Sequence, residues 1–576
     1  MEVPKVVAAC LLAVLALSSP SRGDFFSVSY DNVKQTYEIH SGLANDVVSW
    51  ANFTDEVETT GWSYLNVTTN GSYADGIQSY AAGLVEGFIT DDLIYKHWMN
   101  TVDGYCTNEV AYCNRLLQFL KINFDYMKKQ ILLSEHDDPY WHQVSLLLGQ
   151  LAGLEDGYAR RQELRNNTMT KKLREFSISM GFIMIQISGD LEDLEAVLNK
   201  SANLKRVKGS GSCSGLIKVL PGNADIFVSQ DSWNTYQSML RVLKRYNFYF
   251  HQVSQGGLIA GKEMTFSSYP GLLMSGDDFY LINSGLATLE TTIGNGNRDL
   301  WKYVQPVGSV LEWIRCMVAN RLSTNGNDWT KTFIQFNSGT YNNQWMVVDF
   351  KLFQPKQKLQ DNLLWVVEQL PKYYQRADLT DVLRKQQYWP SYNSPYFELI
   401  FNKSGAYDDV LKYGDWFSYN KTPRALIFKR DHVKVTSLQT MIKIMRYNDY
   451  KNDELSRCNC TPPYSAENAI SARSDLNPKN GTYPFPSLGH RSHGGIDMKV
   501  SSYSLMLSDL SFVAIGGPTY DQQPPFRWST SDFAADTPHL GHPDLWLFKP
   551  VLFDGRRRST KAAAAAAGPV FRPPKR

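Results

Sequence analysis

The sequence predicts a layered α+β fold, and two observations lead to this prediction. The first part of the chain holds long stretches in which apolar residues recur at the i, i+3, i+4 and i+7 spacing of amphipathic helices. After Cys213 the pattern changes to short apolar segments that are typical of strands. Strands in the middle of a chain with helices on either side pack as layers around a shared core.

Three long helices are predicted in the first part of the chain. They cover residues 79–98, 113–133 and 139–161. The apolar run GFIMIQI at residues 181–187 is too short to span a bilayer, which needs roughly 20 residues, and suits a buried strand.

Five strand-like segments follow Cys213, and the third is interpreted as a hairpin that turns at Ser284 and Gly285. They cover residues 216–220, 225–230, 278–293, 345–353 and 363–370. Two amphipathic helices are predicted to interrupt these strands, at residues 232–246 and 299–322.

The formal net charge of +2 excludes the strongly basic field of a nucleic-acid-binding protein, so no nucleic acid is expected as a partner. The positive excess lies at the two ends, because residues 555–576 hold five Arg and two Lys without an acid. The body between the ends is therefore acidic. The basic tail, residues 555–576, has a six-alanine run and no core pattern, and we expect it to be disordered.

Residues 1–23 are predicted to be a secretory signal peptide. Lys5 precedes an apolar run at residues 6–17, which is too short for a transmembrane helix, and a small polar stretch follows. Many Asn-x-Ser/Thr sequons agree with a secreted or lysosomal glycoprotein. The sequons lie at Asn52, Asn66, Asn70, Asn166, Asn199, Asn402, Asn420, Asn459 and Asn480.

Six cysteines remain after the predicted signal peptide. Cys106 and Cys113 flank a short polar loop and are expected to form a local disulfide. Cys458 and Cys460 can close a tight C-x-C ring, although such a small ring risks strain. Cys316 lies in a helical apolar pattern and is interpreted as a buried helix residue, which leaves Cys213.

The chain divides at a polar, basic and Gly/Ser-rich segment, residues 199–212, which has the composition of an exposed linker that is cut during processing. Residues 24–198 precede it as a largely helical fragment. Residues 213–554 follow it as the catalytic fragment, and the two are expected to form one interlocked domain.

The context of Cys213 decides between two kinds of nucleophile. GSCSG at residues 211–215 matches the nucleophile elbow of α/β-hydrolases, but that motif follows a strand and precedes a helix, and here a linker comes first and a strand second. Cleavage directly before Cys213 would instead give a terminal cysteine whose α-amine, with a pKa of about 7.7 to 8.0, can accept the thiol proton. A buried structural cysteine is the plain alternative.

Several blocks of the sequence resemble those of the phospholipase B-like proteins, in order and through nearly the whole chain. The blocks are CSGLIKVLPG, SWNTYQSMLRVLKRY, FSSYPGLL, NSGTYNNQW, TDVLRKQQYWPSYNSPYF, IMRYNDYKNDELSR and PPFRWS. Within the family the chain resembles the first of the two vertebrate types and its invertebrate relatives. The resemblance implies an N-terminal-nucleophile (Ntn) hydrolase: an αββα sandwich that cleaves itself before the cysteine, loses the linker and keeps both fragments together in a lysosomal or secreted glycoprotein.

The resemblance also implies a set of site residues. Cys213 is the nucleophile, and Trp233, at an expected strand-to-helix turn, is part of the wall around it. Asn393 matches a polar pocket residue suited to oxyanion stabilisation, although a turn between two prolines explains it equally well. Arg424 matches a pocket arginine that could lower the pKa of the cysteine or hold an anionic head group, although most arginines are surface charges.

Three further pocket residues follow from the resemblance with less support. Gln230 stands where the family usually has a histidine, and glutamine cannot titrate, so an acid or base function of that histidine is absent here. Asn342 and Asn343 are second-choice pocket residues, because GTYNN also suits a hairpin turn.

A metal site built from histidine and aspartate side chains is an alternative to the cysteine nucleophile. The candidate ligands lie in Pro/Gly-rich loops without the spacing of a helical zinc motif, so no metal or other cofactor is expected. They are His490, His493, Asp497, His539, His542 and Asp544.

The predicted function is hydrolysis of an acyl bond by Cys213, and the family name implies deacylation of phospholipids. An amidase acting on N-acyl lipids or peptides is the nearest alternative, since the mechanism does not choose between ester and amide. A catalytically weak glycoprotein that binds lipid or a partner is another, to which Gln230 lends weight. The expected partner is an acylated lipid, no transmembrane segment is expected, and a homodimer is kept as a candidate assembly.

Overall fold

The computed structural model describes residues 23–165, 178–201 and 212–555. The predicted signal peptide, the sequon at Asn166, most of the predicted linker and the basic tail lie outside the described residues. Within the described residues, no helix combines the length and the apolar character needed to cross a membrane.

The strands of the described chain fall in two groups, before and after Cys213. They are β1 (Asp24–Asp31), β2 (Thr36–Ser41), β3 (Val47–Glu56), β4 (Trp62–Thr69), β5 (Cys213–Val219), β6 (Ile226–Thr235), β7 (Val242–Asn247), β8 (Glu263–Ser268), β9 (Phe279–Ile282), β10 (Leu286–Thr292), β11 (Asn343–Asp349), β12 (Leu364–Gln369), β13 (Tyr374–Asp378), β14 (Tyr388–Ser391), β15 (His493–Gly495), β16 (Asp497–Ser502), β17 (Phe512–Gly516), β18 (Phe526–Arg527), β19 (Leu545–Trp546) and β20 (Val551–Phe553).

The α-helices also occur before and after Cys213. They are α1 (Val57–Thr60), α2 (Asp75–Ile89), α3 (Asp91–Thr101), α4 (Val110–Ser134), α5 (Pro139–Leu164), α6 (Ile178–Gln186), α7 (Ser188–Val197), α8 (Glu312–Leu322), α9 (Gly326–Phe333), α10 (Thr380–Gln386), α11 (Glu398–Lys403), α12 (Ala406–Tyr413), α13 (Pro423–Asp431), α14 (Leu438–Met445) and α15 (Tyr503–Asp509).

Two large sheets form the centre of the molecule. One has eleven strands in the order β13-β12-β11-β10-β9-β8-β7-β4-β3-β1-β2, and the other has seven, in the order β14-β5-β6-β16-β17-β20 with β15 on β6. Residues such as Ile217 and Val228 of the smaller sheet pack against Leu281 and Leu289 of the larger one. The sheets therefore stack face to face around a shared apolar core.

Helices cover the two outer faces of this pair of sheets. Apolar residues of α2 and α5 pack with those of β1, β3 and β4 on the larger sheet. Apolar residues of α13 and α14 pack with those of β5, β6 and β16 on the smaller sheet. The α+β class predicted from the sequence is confirmed, with its elements in helix, sheet, sheet and helix layers.

The contact between α2 and α5 depends on glycine. A Cβ atom added at Gly83 or Gly87 would overlap the backbone of α5, and one at Gly153 or Gly157 would overlap the backbone of α2. Because each glycine faces the backbone of the other helix, the two helices approach more closely than larger side chains would allow.

The structure corrects three predicted elements. Residues 181–186 belong to the helix α6 and Ile187 follows it, because an almost completely buried and mostly apolar run has no periodicity that separates strand from helix. Residues 232–246 form the end of β6, a short 3-10 turn and most of β7, in which Val242 to Tyr246 are all buried, so that β7 lacks the alternation of a half-exposed strand. Residues 299–322 are α-helical only in α8, since Pro306 and Gly308 interrupt the segment before it.

Other predicted elements are confirmed, except that the helix predicted at residues 79–98 is divided at Thr90 between α2 and α3. The hairpin turns at Gly285, which has a φ of +88°, between β9 and β10. The other four strand segments correspond to β5, β6, β11 and β12. The fragment before the linker is less helical than predicted, because it opens with β1 to β4.

Both predicted disulfides are present, Cys106–Cys113 and Cys458–Cys460, and Cys316 is a free, buried residue of α8. Among the described sequons, Asn66 and Asn70 are half-buried, and the Nδ2 of Asn70 donates to the carbonyl of Val47 at 3.0 Å. The other described sequon asparagines are exposed: Asn52, Asn199, Asn402, Asn420, Asn459 and Asn480.

Candidate active site

Cys213 is the first residue of β5, and the peptide bond before it is held by hydrogen bonds from several sides. The backbone N–H of Trp233 donates to the carbonyl oxygen of Ser212 at 2.6 Å. The Oδ1 of Asn393 accepts from the backbone nitrogens of Ser212 at 3.1 Å and Cys213 at 3.4 Å. Arg424 donates through Nη1 to the carbonyl oxygen of Cys213 at 2.6 Å. Four hydrogen bonds thus hold the backbone around the predicted cleavage position.

Asn393 follows β14 in a left-handed conformation with a φ of +64°, which asparagine adopts more readily than most residues. Its Nδ2 donates to the carbonyl of Thr292 at 2.7 Å, so its Oδ1 faces the nitrogen atoms at the cleavage position. In this conformation Asn393 is an acceptor for Cys213 N, and the donor on the Ser212 carbonyl is the N–H of Trp233. The resemblance implied that the side-chain amide of Asn393 stabilises the oxyanion, whereas in the structure the N–H of Trp233 is the donor to this carbonyl oxygen.

Arg424 follows Pro423 in the first turn of α13 and is buried. Its guanidinium lies over the ring of Trp233, 4.3 Å from the ring centroid, and Nη1 is 3.4 Å from Ser214 Oγ. Burial lowers the pKa of Arg424 to about 10, which leaves it charged. It contacts the backbone and ring that surround Cys213 and lies on the side of the sheet covered by helices.

Trp233 is a strand residue of β6, whereas the sequence places it at a strand-to-helix turn. Its indole Nε1 donates to the carbonyl of Ile470 at 3.2 Å. This bond fixes the ring, and the antiparallel pairing of β5 with β6 fixes its backbone N–H beside Ser212.

A cavity of about 480 Å³ opens at Cys213. Ser212, Cys213, Ser232 and Trp233 line one side of it. Apolar side chains line another part: Val102, Met184, Ile185, Leu191 and Leu272. All of these except Leu272 precede the predicted linker in sequence, so residues on both sides of that linker contribute to the cavity.

Gln230, Asn342 and Asn343 are buried, but none of the three lines this cavity. Gln230 donates through Nε2 to the carbonyls of Asp277 at 2.6 Å and Glu290 at 2.7 Å. Asn342 donates through Nδ2 to Asp193 at 2.9 Å and to the carbonyl of Gly339 at 3.0 Å. Gln230 and Asn342 therefore connect elements behind the site.

The pKa of the Cys213 thiol is raised well above its usual value. Burial is the main cause, and the nearby Glu290 carboxylate adds to it. The Lys499 ammonium and the backbone N–H of Trp233 act in the opposite direction, because both favour a thiolate. The thiol needs a proton acceptor in order to react.

Sequence reasoning did not identify the ion pair of Asp497 and Lys499 beside this site. Asp497 was considered only as a metal ligand, yet Lys499 Nζ lies 2.8 Å from its Oδ1 and both residues are fully buried. The signal was present in DMKVSS, where charged residues alternate with apolar ones in a strand.

The loop histidines have other partners. His490 Nε2 lies 3.0 Å from Asp532 Oδ2, and the ring of His539 stacks on Trp528. Within the described residues, no group of three or more His, Cys, Asp or Glu side chains could hold a metal ion.

The described core contains many buried carboxyl groups. Burial raises the pKa of Asp190 to about 6 and those of Asp278 and Glu368 to about 7, and it also raises the pKa values of Asp231, Glu290 and Glu312. Between the unfolded pKa near 4 and these folded values, the folded protein binds more protons than the unfolded chain. This excess stabilises the folded state at acid pH, and the stabilisation is lost as the pH rises through the folded pKa values.

We therefore expect the free energy of unfolding to be higher at about pH 5 than at about pH 7.5, by on the order of a few kcal/mol. Buried histidines oppose this effect, since burial lowers the pKa of His97 and His542 to about 3 and that of His432 to about 4. The carboxyl groups outnumber them. Urea midpoints at the two pH values test the prediction, and a lower midpoint at the acid pH would contradict it.

Nearly the whole chain is similar to proteins of one family. The family model described as Phospholipase B matches residues 49–553. The Mus musculus protein named "Putative phospholipase B-like 2" is 52% identical over 532 residues, covering 91% of this chain and 88% of that protein. The Homo sapiens protein of the same name is 52% identical and covers 88% of this chain and 86% of its own length.

A nematode relative extends the comparison. The Caenorhabditis elegans protein named "Putative phospholipase B-like 1" is 45% identical, covering 88% of this chain and 87% of that protein. The expected proximity to the first vertebrate type gains no support here, because the mouse and human relatives both carry the name of the second type. With the family model matched over most of its length and these relatives covering nearly all of it, the chain belongs to the phospholipase B family.

Proposed function

We propose that the protein is a lipid acyl hydrolase whose nucleophile is Cys213, exposed as an N-terminal residue when the chain cleaves its own Ser212–Cys213 bond. One observation carries the proposal. The carbonyl of Ser212 accepts a hydrogen bond from the backbone N–H of Trp233, while Asn393 holds the nitrogen on the other side of the same bond. The helix–sheet–sheet–helix layers agree with the sandwich of Ntn hydrolases.

This geometry supports a route for self-cleavage. The sulfur of Cys213 attacks the carbonyl carbon of Ser212, and the N–H of Trp233 stabilises the negative charge that develops on its oxygen. The bond to the Cys213 nitrogen then breaks, and the thiol proton ends on that nitrogen as an amine. Water hydrolyses the resulting thioester, which frees the thiol and leaves a carboxylate on Ser212.

Turnover uses the same groups. The new α-amine of Cys213, beside the Oδ1 of Asn393, accepts the thiol proton, and the sulfur attacks the acyl carbonyl of a substrate. The N–H of Trp233 is then free to bind that carbonyl oxygen. The acyl chain lies along the apolar wall that includes Met184, Ile185 and Leu191, which explains why the fragment before the linker must be retained.

The substrate class is proposed from the relatives and the cavity together. The names of the relatives point to phospholipids, and the apolar wall suits an acyl chain. An amide substrate is the second candidate, because the bond at this position is itself an amide. We propose a secreted or lysosomal location, which the exposed sequons support.

An activity assay tests the proposal. Wild type and Cys213→Ala are assayed on a radiolabelled diacyl phospholipid and on an N-acyl lipid at acid and neutral pH. We expect the variant to lose at least about 1000-fold in turnover, because removal of a nucleophile removes the covalent route. Equal turnover by both proteins would overturn the proposal, and preference for the N-acyl lipid would favour the amidase. Complete processing without turnover on either lipid would favour a binding protein.

A further inference from the structure

The sulfur of Cys213 has no terminal amine to help it before the chain is cut. In the uncut chain the Cys213 nitrogen belongs to a peptide bond and cannot accept the thiol proton. Burial and Glu290 both disfavour the thiolate. If the chain cleaves itself as proposed above, another group must stabilise the sulfur during the first attack.

Ser232 lies directly opposite Cys213 in the antiparallel pair of β5 and β6. The N–H of Trp233 bonds the carbonyl of Ser212, so Cys213 and Ser232 form the non-hydrogen-bonded type of pair, in which side chains are closest. Both residues line the cavity. The side chains of Ser232 and Cys213 therefore lie opposite each other on the same face of the sheet.

A buried cation orients the Ser232 hydroxyl. Lys499 Nζ donates to Ser232 Oγ at 2.6 Å and to the two carboxylate oxygens of Asp497 at 2.8 and 3.0 Å. The serine oxygen accepts from lysine, so its own hydrogen remains for another acceptor. Within the described chain, the Ser232 hydroxyl makes no second hydrogen bond.

Asp497 fixes the arrangement from behind. Its Oδ1 accepts from the backbone N–H of Ser232 at 3.1 Å, and its Oδ2 accepts from Arg241 Nη1 at 2.7 Å. Arg241 also pairs with Asp277, whose Oδ2 lies 3.7 Å from Lys499 Nζ. A fully buried network of charges is costly unless its members are paired. This network ends at the Ser232 hydroxyl, on the face of the sheet that carries the Cys213 side chain.

We propose that Ser232 is a catalytic residue of self-cleavage, which donates a hydrogen bond to the sulfur of Cys213 as its negative charge develops. Lys499 and Asp497 are positioning residues that polarise and orient the serine. We call the arrangement of Asp497, Lys499 and Ser232 the relay. It leaves the overall reaction unchanged: the thiol proton still ends on the Cys213 nitrogen, and the Ser212–Cys213 bond is the one that breaks.

Pulse–chase expression of the full chain measures the processing rate of Ser232→Ala. We expect processing to slow by about 100-fold, the usual contribution of one positioned proton or hydrogen-bond donor. The matched control is Ser229→Ala, in the same strand, because Ser229 is also buried and donates to the backbone carbonyl of Lys499 at 2.6 Å. It should be processed at the wild-type rate. A normal rate in Ser232→Ala, or equal slowing in both variants, would overturn the proposal.

Lys499→Met tests the cation independently. Asp497 keeps its partner Arg241 in this variant, so the carboxylate is not left unpaired. Processing should slow as in Ser232→Ala, and the double variant should be within about 2-fold of the slower single variant, because the two residues act as a unit. Full additivity would contradict the relay. If Lys499→Met fails to fold, the difference in processing rate between Ser232→Ala and Ser229→Ala still tests the proposal.

The pH profile of processing in permeabilised cells separates catalysis from a structural effect. The charged and titratable groups that interact with the thiol are Glu290, Asp497, Lys499, Arg424 and Tyr341, and Asp277 lies behind Lys499. In Ser232→Ala we expect the rise in rate to move to a pH higher by about one unit, since the thiolate loses a donor. An unchanged profile would contradict the relay. Cleavage of Cys213→Ala would instead refute the proposed self-processing itself.

Discussion

Replacing Cys213 with alanine is expected to leave the purified protein as one uncut polypeptide, whereas the wild type separates into two fragments on a denaturing gel. The reason is that the attacking atom of the proposed cleavage is the sulfur of Cys213. Cys213 is the first residue of β5, and the carbonyl of Ser212 that its sulfur attacks is held by the N–H of Trp233. Peptide mass analysis of the wild type should find Cys213 as a new N-terminus.

Cys316→Ala is the matched control for this experiment. Cys316 is the other free cysteine of the described chain and is equally buried, but it lies in α8, where its sulfur contacts the carbonyl of Trp313. Its removal deletes one buried sulfur without touching the cleavage position, so processing should be complete. An uncut wild type, or cutting of Cys213→Ala at the same bond, would refute self-processing.

Gly153→Ala is expected to destabilise the protein by about 3 kcal/mol, the upper end of the usual cost of overpacking a buried contact. A Cβ atom there would overlap the backbone carbonyl of Tyr80 in α2, and a backbone atom cannot rotate away as a side chain can. The helix α5 would have to move from α2, although alanine is intrinsically the better helix former. A urea unfolding curve measures the loss.

Gly76→Ala is the control for the glycine contact. Gly76 lies in α2, is exposed, and has no atom within 4 Å of an added Cβ. Alanine there should stabilise the protein by up to about 1 kcal/mol, because only the helix preference of the residue changes. Equal effects of the two substitutions would mean that the close approach of α2 and α5 does not limit stability.

The larger sheet predicts that the two fragments stay together after the proposed cleavage. Strands β1 to β4 precede the linker and β7 to β13 follow it, yet they form one continuous sheet in which β4 and β7 pair in parallel. Separation of the fragments would expose the backbone of both strands. The cut chain should therefore remain one folded unit.

The fold class was predictable because long amphipathic helices carry their periodicity in the sequence, as α4 and α5 do. Two of the misread elements, β7 and α6, share one property, which is that nearly all of their described side chains are buried. In β7, Val242 to Tyr246 are all buried although they include Lys244 and Arg245, and in α6 the polar Gln186 is buried as well, so neither sequence marks a solvent-facing side with a period of 2 or of 3.6. Their secondary structure depends on which neighbours cover them.

By itself, the sequence determined that Cys213 follows a linker and begins a strand, since both features are local. Only the tertiary structure decided what surrounds it: that Asn393 presents its oxygen to the cleavage position, that Trp233 supplies the N–H, and that Lys499 reaches Ser232. These groups are distant in the chain, and strand register and side-chain direction bring them together. A sequence pattern records neither of these, because a shift of one residue in register would turn each side chain to the opposite face of its sheet.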